Sequence, residues 1–120
     1  MKTTMIKLIN ALQVFNNKLM NKEFTPVTSF KLVKLTKAIN SEVEIYDKER
    51  IKLLEKYGVK NDETNTYKIL DENKEKWEKD INDLNSMEVE ITAENINLAN
   101  ENIKISPVDM MHIEDFVDII

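Results

Sequence analysis

Between Val27 and Tyr57, apolar residues recur at Leu32, Leu35, Ile39, Val43, Tyr46, Leu53 and Tyr57, mostly in steps of three or four. On a 3.6-residue helix that spacing gathers them on one face. The stretch therefore reads as one long amphipathic helix, with the remaining segments packed against it or hung from its ends. Pro26 marks its start, and Thr28 or Ser29 is expected to accept a backbone N–H as the N-cap. Gly58, the only glycine, follows Tyr57 and reads as a helix-ending residue with positive φ. Arg50 interrupts the stripe. Its aliphatic stem is expected to pack while the guanidinium reaches Glu49 or an acid on a facing helix.

A chain of 120 residues makes one domain with one modest core. Charged residues at 32%, one glycine and two prolines describe a helix-rich chain rather than a β-barrel or a disordered tail. No apolar run approaches the ~20 residues that span a bilayer, so no membrane partner is expected. Met1–Phe15 carries Lys7 and Asn10 within its apolar part and lacks a small-residue cleavage site, which is not a signal-peptide pattern. The absence of cysteine excludes disulfides and thiolate metal sites and suits a reducing compartment. Charge is divided along the chain: residues 1–40 hold seven lysines against the single acid Glu23, while residues 41–120 hold ten basic and 21 acidic side chains. Pairing between the two halves is expected to absorb much of this asymmetry.

Met5, Leu8, Leu12, Phe15 and Leu19 predict a first helix over about residues 4–21, capped by Thr3 or Thr4, although Thr3, Thr4 and Ile6 also suit a short strand. The short link Asn21–Pro26 folds this helix back beside the long one, with Phe24 filling the corner. Lys60–Thr66 is turn-rich, and Tyr67–Ile69 suits a very short strand. Asp71 is a candidate cap for a third helix to about residue 85, with Leu70, Trp77, Ile81 and Leu84 as its apolar face and Trp77 as a core anchor. Alternation at Met87/Val89/Ile91, Ile96/Leu98 and Ile103/Ile105 predicts an antiparallel ribbon. Ser106–Pro107–Val108–Asp109 opens a last helix to Ile120 by a capping-box pattern. The fold expected is mainly α (α+β) and one domain over 1–120: an antiparallel helical hairpin or three-helix core (about 4–86), then a small C-terminal β-ribbon and short terminal helix (about 87–120).

Catalytic chemistry is hard to place on this chain. His112 is the only histidine, and a single glycine rules out the phosphate-binding loops GxxxxGK[ST] and GxGxxG. Carboxylate pairs such as Glu88/Glu90 and Glu114/Asp115 follow from the abundance of acids. No enzyme activity, cofactor or metal site is expected. Lys31, Lys34 and Lys37 form a candidate basic edge, but without arginine or interleaved aromatics it reads poorly as a direct nucleic-acid site. The C-terminal segment supplies the candidate partner-binding residues Met110, Ile113, Glu114, Asp115, Phe116 and Asp118. A helix so short, with acids opposing the macrodipole at its end, is stable only when docked, in an intramolecular seat first and a partner groove second. Its acids are expected to stay exposed. A protein partner fits these features best, and a homo-oligomer is open.

The stretches NALQVFNNKLMNKEF at 10–24, SFKLVKLTKAIN at 29–40, ERIKLLEKYG at 49–58, MEVEI at 87–91 and ISPVDMMHIEDFVDI at 105–119 occur in that order. Together they resemble a family of small phage and prophage proteins of Gram-positive hosts, catalogued as a domain of unknown function. That family carries no assigned activity or catalytic residue, so the resemblance implies a setting only: the host cytoplasm, or the virion. Two roles are expected from it. One is an interaction protein acting on a host or phage protein, for example modulating host defence; the other is a structural or assembly accessory of the tail or connector.

Overall fold

The computed structural model describes all 120 residues, Met1–Ile120. The long apolar stripe forms α2, Pro26–Tyr57, a 32-residue helix. At 1.5 Å per residue it is about 48 Å long, close to the 53 Å length of the whole molecule. The radius of gyration, 17.1 Å, exceeds the roughly 13–14 Å of a compact chain this size. One end of α2 is packed into a core, and the other end projects as an arm.

The chain starts in β1 (Lys2–Thr4) and enters α1 (Met5–Val14), which continues as a π-helical turn over Phe15–Leu19. Both readings of the first residues are thus realised in sequence, strand then helix. Thr4 takes the N-cap position but makes no side-chain cap bond. Met5, Leu8, Ala11, Leu12, Val14, Phe15 and Leu19 are all buried. Facing them from α2 are Leu32, Leu35 and Ile39, and half-buried Phe24 fills the connection as expected.

The start of α2 differs from the expectation. Thr25, not Thr28 or Ser29, is the N-cap, with Pro26 at the first helical position. Proline favours that site because its missing N–H is not needed there. The Thr25 hydroxyl donates to Glu101 Oε1 (2.6 Å), and its backbone N–H points at the same carboxylate (3.2 Å to Oε2). The positive end of the helix is thereby capped by an acid 76 residues away. These bonds from Thr25, aided by neighbouring Thr28, hold the Glu101 carboxyl below its usual range. A depressed acid contributes stability above its unfolded value and loses it as pH falls through the folded one. Replacing Glu101 by Gln is therefore expected to flatten the acid limb of a stability–pH profile below about pH 4. Parallel denaturant melts of the two proteins across that range check it.

Gly58 also has a different role from the one expected. Its φ is −125°, ordinary extended backbone, so no left-handed turn is involved. A Cβ there would stand 2.9 Å from both the Leu54 and Lys68 carbonyl oxygens. Glycine is needed because two backbones meet where the helix passes into the hairpin of β2 (Gly58–Asn61) and β3 (Thr66–Ile69). Asn65 turns this hairpin at φ 54°, a conformation asparagine tolerates.

The third helix is α3, Lys74–Asn85, preceded by a 3-10 turn over Asp71–Asn73. Asp71 lies inside that turn and caps nothing with its side chain. α3 runs along the arm and reaches the core only with Leu84, and none of its residues is fully buried. Trp77 is half-buried, not a core anchor. Two tyrosine hydroxyls hold α3 to α2, Tyr46 donating to Asn85 Oδ1 and Tyr57 to Asp80 Oδ2, each at 2.6 Å. Burial pushes the Tyr46 phenol above its usual value, Arg50 opposing and Asp47 reinforcing, so it stays a donor. Arg50 itself pairs with Asp47, at 3.6 Å, instead of with Glu49 or an acid across the helices.

The C-terminal ribbon does not form. β4 (Glu88–Glu90) pairs antiparallel with β1, setting Val89 opposite Thr3. β5 (Ile96–Asn97) pairs in parallel with β6 (Val117–Asp118). Ile103 and Ile105 belong to no strand. The last helix, α4 (Pro107–Ile113), is capped as expected by Ser106 Oγ, which accepts the Asp109 N–H at 3.2 Å. It stops after seven residues, passes through a 3-10 turn at Glu114–Phe116 and becomes β6. Acids against the macrodipole and the β-branched Val117 disfavour further helix.

The chain is therefore mainly helical with small two-stranded sheets. Its buried centre joins α1, the Phe15–Leu19 turn and α2 from Leu32 to Tyr46 to Val89, Ile91, Ile96, Leu98, Ile113, Phe116 and Val117. The last third of the chain supplies core that the sequence assigned to α3.

Candidate functional site

The C-terminal candidates divide by burial. Ile113 and Phe116 are fully buried in the core and present no partner surface, while Met110 is half-buried against it. Phe116 meets the Phe15 ring edge-on, with centroids 6.3 Å apart. Glu114, Asp115 and Asp118 are exposed. Two of them have partners: Asp115 pairs with Lys7 at 3.3 Å, and Asp118 accepts from Asn95 Nδ2 at 3.2 Å. His112 is exposed at the rim of a shallow cleft between α1 and α4. No three acids or imidazoles gather as a metal would require.

The basic edge stands out more sharply. Lys31, Lys34 and Lys37 follow one another along α2, and residues 26–41 contain no acid. Lys31 Nζ reaches Glu94 Oε2 at 3.2 Å, Lys34 Nζ lies 4.9 Å from the centre of the Phe30 ring, and Lys37 is exposed. Lys31 and Lys7 are the only two of the seven N-terminal lysines paired with later acids. Pairing between the halves is thus much less extensive than the charge division suggested.

Beside these lysines lies a groove of about 460 Å³ between Phe30, Lys31, Lys34 and Ala38 of α2 and the loop Thr92–Glu94. The apolar surface next to it is unusual for a helix with this stripe. Val27 is 67% exposed, Phe30 63% and Val33 40%. Exposed apolar residues clustered among charges mark interaction surfaces more often than isolated ones do. Sequence reading missed Phe30 as a surface residue, yet the signal was present. It stands two residues before Leu32, roughly 200° around the helix from it, and so belongs to the opposite face. A larger hollow of about 710 Å³ lies between α2 and the hairpin, but Arg50, Lys60 and Glu55 line it with both signs of charge. The chain finds no match among protein-family models, curated proteins or solved structures.

Proposed function

We propose that this chain is a non-enzymatic, phage-encoded interaction protein that binds a host or phage protein in the host cytoplasm and modulates host defence. The observation that carries the binding role is the outward face of α2, where Val27, Phe30 and Val33 lie bare among lysines beside a groove. Nothing in the fold requires a bare aromatic ring there, and a partner that covers it recovers its burial energy. The phage setting rests on the resemblance of the sequence stretches. A second reading, an assembly accessory of the virion, draws on the 53 Å shape and its single-helix spine, which suit a strut between larger bodies. Neighbouring genes separate the two roles: tail and lysis genes favour assembly, early genes favour modulation. The binding role is tested by affinity capture from phage-infected cells with wild-type and Phe30→Asp baits. A partner captured by the first and lost with the second is expected. Identical captured sets from two folded baits would contradict it.

A further inference from the structure

We infer that the groove beside Lys31 and Lys34 takes an acidic peptide segment of the partner, seating one apolar side chain against Phe30 and Ala38 and laying carboxylates on Lys31, Lys34 and Lys37. The inference rests on the binding role above and names its chemistry.

Three observations carry it. First, Lys31, Lys34 and Lys37 follow one another along a stretch of α2, residues 26–41, that contains no acid. Lys34 and Lys37 meet no carboxylate of their own chain, so the fold leaves their charge directed outward. Second, Glu94 already occupies Lys31 from across the groove, at 3.2 Å. Both side chains of this pair are exposed, and exposed ion pairs are weak. Glu94 shows the chemistry Lys31 accepts, and an incoming carboxylate can exchange with it. Third, the surface between the charges is aliphatic as much as aromatic: Val27 and Val33 flank Phe30 one turn away on α2, and Ala38 and Ala93 line the groove with it. Single-stranded nucleic acid favours successive stacking rings and arginine, and this face has a single ring and no arginine. An acidic segment with one apolar anchor matches both the charge and the small apolar floor.

The test is fluorescence anisotropy on the full chain with three labelled probes: a peptide of about a dozen residues bearing one phenylalanine among glutamates, the same peptide with lysines for glutamates, and oligothymidylate. The glutamate peptide is expected to bind at least about tenfold tighter than either other probe. The Lys34→Glu/Lys37→Glu variant should lose about tenfold, and Glu94→Gln should gain about two- to fivefold by freeing Lys31. All three positions are exposed, and unchanged melts confirm that each variant folds. Equal binding of the two peptides, tighter binding of the oligonucleotide, or weaker binding by Glu94→Gln would overturn the inference. So would a self-associated species in sedimentation that Lys34→Glu/Lys37→Glu dissolves, because the acidic surface met would then be a second copy's. If affinity capture is lost with Phe30→Asp but kept with Lys34→Glu/Lys37→Glu, the binding face stands and its acidic ligand falls. If both variants keep the partner, the binding face falls as well.

Discussion

Truncation of Phe116 to alanine is expected to destabilise the protein by about 3–5 kcal/mol, the range for a large aromatic removed from a close-packed interior. Phe116 is 0% exposed and sits in the 3-10 turn that joins α4 to β6. Its ring contacts Phe15 edge-on, at 72° between planes, and such pairs add about 0.5–1.5 kcal/mol beyond burial. The substitution thus removes one of the groups that join the last third of the chain to the first helix, beside Ile113 and the Lys7–Asp115 pair. A denaturant melt gives the value. A loss below about 1 kcal/mol would mean that the C-terminal segment is loosely seated, as a partner-docking arm would be.

Ile39→Ala is expected to cost about 2–5 kcal/mol. Ile39 is 0% exposed, and Tyr46 is the last residue of α2 in the core cluster. Beyond Tyr46, α2 relies on Tyr57 and the half-buried side chains of α3. Ile45 and Ile51 lie further along the same helix and are exposed, so their truncation should fall within about 0.5 kcal/mol of wild type. Side-by-side melts of the three variants therefore separate the inward stripe of α2 from its outward face. Similar losses at all three positions would place core where the structure has exposed surface.

How far these features were legible depended on the range over which each signal acts. α2 was legible because it is long, periodic and marked by Pro26 and Gly58, all local information. The role of Gly58 was not, since the close approach of Lys68 arises only once the hairpin has folded back. α3 was found but overvalued: Trp77 suggests a core, yet a narrow stripe docks equally well on an exposed helix. The C-terminal strands were misassigned for a related reason. Alternation at Ile96/Leu98 and Ile103/Ile105 identifies extended chain but not its hydrogen-bond partner. The partner of β5 is a two-residue strand at the far end of the same segment, too short to show a period.

The candidate site was half legible. Lys31, Lys34 and Lys37 were visible as an edge because their spacing is local. Their apolar neighbours needed the reverse question, namely which residues fall off the stripe. On the C-terminal segment, composition alone could not separate Phe116 from the acids around it. The break of α4 after Ile113 does so, turning Phe116 inward and leaving Glu114 and Asp118 outside.

The proposed binding face is the outward face of α2 rather than the acidic C-terminal face. The most direct measurement is quantitative capture of the partner by two folded variants compared with wild type: Phe30→Asp, and Glu114→Gln/Asp115→Asn/Asp118→Asn. Phe30→Asp is expected to lose capture and the triple amide variant to keep it. Capture kept by Phe30→Asp and lost by the triple amide variant would contradict the account and move the binding face to the C-terminal acids.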